Sequence, residues 1–238
     1  MPQYKKTTKL HYSKYLYKAV FYTNLAFSFS SYRNKGKDRL GLAQSTINDL
    51  DNDYINKRSL KVSVRRSQKD VSTIDYKGMK SLLEYLTAST GEWRVRVENS
   101  FILTVYTSDK TLIDSIETIS TVREIYKPEE GMENFLLLNI GTAIVNSPSE
   151  YDYRVYLKGN KMDPSFGNWL EANQDKSKVG DVTLRNIKNG YYLSGNYFYV
   201  RNDKVLTIVR MLIGYNVRRV EKLIYKEDID KYMYDNNK

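Results

Sequence analysis

Two stretches of the chain follow one pattern. Residues 93–126 read WRVRVENSFILTVYTSDKTLIDSIETISTVREIY, and residues 191–225 read YYLSGNYFYVRNDKVLTIVRMLIGYNVRRVEKLIY. Each has an aromatic or β-branched run that ends in a short polar turn, Glu98-Asn99-Ser100 or Ser194-Gly195-Asn196. Each continues through a second strand into an Asp-Lys-x-Leu helix start, Asp109–Leu112 or Asp203–Leu206. Each closes on a last strand, at Ile125-Tyr126-Lys127 or Ile224-Tyr225-Lys226. A repeat on this scale constrains the fold strongly, because each copy must form the same supersecondary unit.

The flanking sequence completes two larger units. Residues 1–14 read as a basic arm. Between residues 15 and 29, Tyr15, Tyr17, Ala19, Phe21, Thr23, Leu25, Phe27 and Phe29 alternate with residues of the other face, which predicts a long half-buried strand, or two with a bend near Asn24. Leu40, Ala43, Ile47, Leu50 and Tyr54 then take helical spacing, and a strand at 60–64 and a helix at about 73–88 precede the first hairpin. Residues 128–150 read as a connector. It contains the most apolar run of the chain, residues 135–145, either a strand shared by both halves or the edge of the second sheet. In the second half Tyr153, Val155 and Leu157 alternate with Arg154 and Lys158, Asp163-Pro164 opens a helix, and a short helix follows at about 179–188.

The expected fold is therefore α+β. It consists of two tandem ferredoxin-like units (β-α-β-β-α-β) from an internal duplication, with antiparallel sheets and helices on one face. The expected division is a basic arm at 1–14, the first unit with an inserted strand and helix at 15–127, the connector at 128–150, the second unit at 151–226 and a polar tail at 227–238.

Several chemistries lack their residues. The chain has no cysteine, which removes disulfides, thiol catalysis and cysteine-ligated metals. Its one histidine, His11, lies in the basic arm, so a histidine-based nucleophilic site has one residue to draw on. Asp49, Asp51 and Asp53 form a D-x-D-x-D string, but the glycine and terminal glutamate of a calcium loop are missing and the helical pattern turns the three to different faces. No catalytic residue, metal site or cofactor is assigned, and the expectation is a protein that is not an enzyme. No run approaches the ~18 apolar residues of a membrane span, and the N-terminus has no apolar signal core, so no membrane partner is expected. The expected location is the cytoplasm. Heavy use of Tyr, Asn, Lys and Ile suggests AT-rich coding, as in a phage, whose protein would work in the host cytoplasm.

What remains is charge and aromatics. The net charge is +10, and the basic residues cluster. One cluster is Arg33, Lys35, Lys37 and Arg39, leading into a helix N-terminus that also favours phosphate. A second is Arg58, Lys61, Arg65, Arg66 and Lys69, and a third includes Arg218 and Arg219. The 22 tyrosines include Tyr197 and Tyr199, which share one face of a strand while Phe198 takes the other. The run Gly195–Val200 resembles the base-stacking strand of RNA-recognition motifs only in its aromatics, since no basic residue precedes the glycine and Asn196 shifts the spacing. Basic loops for phosphates and tyrosines for bases make RNA or single-stranded DNA the expected partner. The alternative is a phage virion or complex-assembly subunit whose aromatic strands pack on protein partners, because interfaces enrich the same residues.

Overall fold

The computed structural model describes residues 2–29, 39–64, 66–193 and 195–236. The chain divides into two compact units, Met1–Leu137 and Leu138–Lys238. Both are α+β.

The first unit runs β1 (Gln3–Lys6), β2 (Tyr17–Tyr22), α1 (Arg39–Ile55), β3 (Lys61–Val64), β4 (Ser67–Asp70), α2 (Thr73–Ala88), β5 (Trp93–Glu98), β6 (Ile102–Thr107), α3 (Lys110–Glu117) and β7 (Val122–Lys127). Five strands form one sheet in the order β1-β7-β2-β6-β5, with β1 parallel to β7 and the other pairs antiparallel. β3 and β4 pair only with each other. Cross-strand partners Ala19, Val105, Val95 and Ile125 share the buried face. Helix α2 starts where the Ser72 hydroxyl accepts from the Asp75 amide at 3.0 Å, and it buries Met79, Leu82, Leu83 and Leu86. A Cβ at Gly78 would stand 2.4 Å from the Thr121 hydroxyl, so this turn of α2 admits no larger residue without movement.

The second unit follows α4 (Glu133–Leu138), which straddles the division. It runs β8 (Thr142–Val145), β9 (Tyr153–Leu157), α5 (Pro164–Ala172), β10 (Ser177–Val179), α6 (Asp181–Lys188), β11 (Tyr197–Val200), α7 (Asp203–Ile213), β12 (Val217–Tyr225) and α8 (Ile229–Asn236). Its sheet order is β10-β11-β9-β12-β8, with β8 parallel to β12 and the rest antiparallel. Written from the parallel edge strand, the two orders are β1-β7-β2-β6-β5 and β8-β12-β9-β11-β10, the same arrangement strand for strand. Phe166, Leu170, Ile187, Val205 and Val209 of the helices close over Val155, Phe198 and Val200 of this sheet in one apolar cluster. Burial of that face supplies most of the unit's cohesion, because apolar area removed from water contributes about 25 cal/mol per Å².

The structure departs from the sequence reading in several places. Alternation past Asn24 does not continue as strand: Asn24–Phe29 is a 3₁₀ turn, in which the Ser28 hydroxyl donates to the Leu25 carbonyl at 2.7 Å. Gln3–Lys6, read as part of an arm, is an edge strand. The apolar run 135–145 is broken near Gly141 (φ +90°) into the end of α4 and the edge strand β8. In the second unit, residues 191–193 are not the first arm of the hairpin. That arm is β10, and α6 is inserted between it and β11. The stretch read as a polar tail contains α8, whose Ile229 is buried. Among the described residues no helix is long and apolar enough to cross a membrane.

Candidate nucleic-acid interface

In each sheet the helices cover one face, and period-two geometry sends the intervening side chains to the other. On the second sheet, register gives that other face two rows. Lys178 of β10 stands opposite Tyr199 of β11, which faces Arg154 of β9, which faces Glu221 of β12. In the next row Tyr197 of β11 faces Tyr156 of β9, which faces Arg219 of β12.

These residues are knitted together. The Arg154 guanidinium stands 5.5 Å from the Tyr197 ring centre and 5.3 Å from that of Tyr199. The Arg219 guanidinium lies 4.1 Å over the Tyr156 ring. Tyr156 and Tyr197 are 5.6 Å apart, as are Tyr197 and Tyr199. Buried Glu221 accepts from the Tyr156 hydroxyl at 3.1 Å and pairs with Arg219 at 3.2 Å. Burial disfavours the charge on Arg154, but the Tyr156 hydroxyl, with Tyr199 and Glu221, outweighs it and raises the pKa. The outcome is a platform of rigid aromatic faces and fixed cations, with Tyr197 42 % exposed and Arg219 and Lys178 open to solvent. Each cation–π contact contributes roughly 0.5–2 kcal/mol, depending on desolvation.

The first sheet has a comparable row. Arg94 faces Tyr106, Tyr106 faces Lys18, Lys18 faces Tyr126, and Tyr126 faces Lys5, across all five strands. Strand for strand, Arg94, Tyr106 and Lys18 match Lys178, Tyr199 and Arg154. Here, however, the chain covers its own row. Between β1 and β2 it turns back, with His11 in an antiparallel bridge to Tyr15. Tyr12 meets Tyr106 edge-on at 4.9 Å, and the Arg94 guanidinium stands 4.1 Å over the Tyr12 ring. His11 packs against both Tyr106 and Tyr126. Burial, then Lys18 and Lys9, lowers its pKa to about 4, so the imidazole is neutral at physiological pH. Tyr12 and Ser13 both take positive φ, 54° and 57°, at a turn that ordinarily favours Asn-Gly.

The other basic residues sit elsewhere. Lys61 and Lys69 lie on the β3–β4 hairpin, and Arg66 occupies its turn at φ +123°; all three are exposed. Arg58 follows α1 and pairs with Asp53 at 3.7 Å. Asp51, the middle of the D-x-D-x-D string, accepts from Tyr76 and pairs with Lys80 at 2.8 Å, tying α1 to α2. Arg33, Lys35, Lys37 and Arg65 lie outside the described residues, and for Arg39 only the helical backbone is described. Arg218 is exposed at the β12 irregularity between Val217 and Arg219. The structure thus brings together three of the residues singled out from sequence, Tyr197, Tyr199 and Arg219. It adds Arg154, Tyr156, Lys178 and Glu221. The signal for Arg154 and Tyr156 was in the alternation of residues 153–157, where both fall opposite the apolar positions.

No protein-family model matches the chain, and no curated protein or solved structure proved similar to it.

Proposed function

We propose that this is a non-enzymatic nucleic-acid-binding protein acting on RNA or single-stranded DNA, with the uncovered face of the second sheet as its base-binding platform. The observation that carries this reading is the pair of cross-strand rows, three tyrosine rings interleaved with two guanidinium groups on the face opposite the apolar cluster. Unpaired bases stack on such rings without regard to sequence, at roughly 1–3 kcal/mol per base. Arg218 and Arg219, on the platform's own sheet, supply phosphate contacts, and the exposed hairpin of the first unit, with Lys61, Arg66 and Lys69, offers its own. The basic residues Arg33, Lys35, Lys37, Arg39, Arg58 and Arg65 of the first unit add to the net positive charge that attracts a polyanion. The shared strand order supports a further reading, that both units are copies of one ferredoxin-like plan, each extended by a leading strand parallel to its last.

A second reading has its own observation. Ile208, Met211 and Leu212 of α7 and Tyr215 of the 3₁₀ turn that follows it are exposed, an apolar patch suited to a protein partner in an assembly. Anisotropy titrations of labelled single-stranded RNA, single-stranded DNA and duplex DNA at two salt concentrations separate the two. Binding that weakens with salt supports the platform. Absence of binding at low salt, with concentration-dependent association in sedimentation, favours assembly.

A further inference from the structure

The upper row of the second platform ends in a cleft. It measures about 460 Å³ and is lined by Ser147, Pro148, Tyr151, Arg154, Lys178 and Tyr199, among others. That volume lies within the range of about 300–1,000 Å³ typical of small-ligand sites. We infer that this cleft is a pocket for a single unpaired nucleotide, its base between Tyr151 and Tyr199 and its phosphate at Lys178 and Arg154. The inference rests on the platform reading and narrows it, from a surface that tolerates any strand to one position that captures one base.

Three observations converge. The Tyr151 and Tyr199 rings stand 6.1 Å apart at 41°. A flat base between two rings requires about 7 Å, two contacts of roughly 3.5 Å. Tyr199 is held in β11, whereas Tyr151 belongs to the irregular segment between β8 and β9, where its amide donates to the Ser149 hydroxyl at 3.1 Å. A shift of about 1 Å together with a turn of the Tyr151 ring toward parallel therefore opens the slot, with β11 undisturbed.

The second observation is chemical. The buried Arg154 Nε has no acceptor among the described residues. A buried donor of this kind calls for a partner oxygen, and a phosphate or a base carbonyl supplies one. Lys178, opposite Tyr199 in the adjacent strand, adds a second cation; Glu150 is the one carboxylate in the lining, and Glu221 stands behind Arg154 at 3.7 Å, so Lys178 is the cation left for a phosphate. The exposed Lys178 and the unpartnered Arg154 Nε therefore favour a ring that carries a phosphate over one that carries none.

The third is the first unit itself. At the matching row, Tyr12 fills the corresponding place, edge-on to Tyr106 and beneath Arg94. The chain thus shows in one unit that a cation–tyrosine–cation row accepts a flat ring. In the second unit the Tyr151 ring leans over Tyr199 at 41°, and the cleft remains.

The test uses the full chain and titrates AMP and UMP by isothermal calorimetry and amide chemical shifts, with adenosine and a tyrosine-containing hexapeptide alongside. Wild type is expected to bind the monophosphates with shifts centred on β11 and residues 147–151, and to bind adenosine more weakly. Tyr151→Ala and Lys178→Ala should each weaken AMP binding about tenfold, and Tyr151→Phe should retain it. Thermal melts verify that each variant is folded. If an oligonucleotide binds and depends on Tyr197, yet neither monophosphate binds and Tyr151→Ala leaves oligonucleotide affinity unchanged, the pocket is refuted while the platform stands. If AMP binds through Tyr151 but no oligonucleotide binds, the pocket stands and the platform reading fails. Capture of the peptide in place of AMP would also overturn the inference.

Discussion

The two sheets present the same cation–tyrosine–cation row on the same strands, and they differ in what lies over it. Over Arg94, Tyr106 and Lys18 the chain folds back, placing His11 and Tyr12 on the rings. Over Lys178, Tyr199 and Arg154, among the described residues, lie the tilted Tyr151 ring and an open cleft. The covering requires little sequence. One turn with two positive-φ residues and one buried imidazole converts an exposed aromatic row into part of a core. That turn is strained, because neither Tyr nor Ser favours left-handed backbone. A strand arrangement used twice in one chain can thus have one face closed by its own residues and the other left to a partner.

The sharpest division to test is which face of the second sheet is core. Phe198 is fully buried and packs edge-on to Phe166 at 5.5 Å, while Tyr197, its neighbour, is exposed. Phe198→Ala is expected to cost about 3–5 kcal/mol in denaturant unfolding. Tyr197→Ala should cost under about 1 kcal/mol. Similar losses for the two would mean the faces are assigned wrongly.

Next in size is the acid response of the covered face. An unfolded histidine titrates near 6.5, whereas His11 in the fold titrates at about 4. Its folded-state pKa is depressed, so as pH falls below 6.5 the unfolded chain takes up a proton that the folded chain refuses. Stability is therefore lost between pH 6.5 and about 4, by up to about 3 kcal/mol, and levels off below that. His11→Phe should flatten this window in pH-dependent melts. An unchanged slope would show that the imidazole is not shielded by Tyr106 and Tyr126.

A third change uncovers the first row without removing its turn. Tyr12→Asn with Ser13→Gly installs residues that tolerate positive φ and deletes the covering ring. Removing the ring from Tyr106 and Arg94 costs roughly 1–2 kcal/mol, partly returned as relieved strain. Calorimetry with a short oligonucleotide should then show two binding events per chain where wild type shows one. A stoichiometry that stays at one would break the proposed equivalence of the rows. The smallest effect concerns the β3–β4 hairpin. Lys61→Ala with Lys69→Ala should leave the melting temperature unchanged. The log–log salt slope of single-strand binding should become shallower by about 0.7 for each phosphate no longer neutralised.

Much of this architecture was legible in the chain, and the misses have physical causes. The first hairpin and the helices α3 and α7 follow from regular apolar spacing and from acidic or amide caps. One cap differs by a residue: Asn202 caps α7 through the Val205 amide, and Asp203 instead accepts from the Tyr153 hydroxyl at 2.7 Å. Asn24–Phe29 misled because a Phe-Ser alternation also suits a tight turn whose hydroxyls bond back to the backbone. β10 is three residues long with one apolar side chain, so it forms only because β11 offers a paired edge. β1 likewise exists by pairing with β7, more than a hundred residues away, which no local pattern records. The platform was half legible. Tyr197 and Tyr199 stood out by type, but Arg154, Tyr156 and Lys178 join them only once the strand register is known.

The most direct measurement is one anisotropy series at low and moderate salt, with a labelled single-stranded RNA titrated against wild type and against Tyr197→Ala/Tyr199→Ala. Wild type is expected to bind in a salt-sensitive way and the double variant to lose at least tenfold in affinity while still unfolding cooperatively at a moderately lowered melting temperature. Equal affinity in the two proteins, or no binding by wild type at low salt, would contradict the claim that the uncovered face of the second sheet holds the strand.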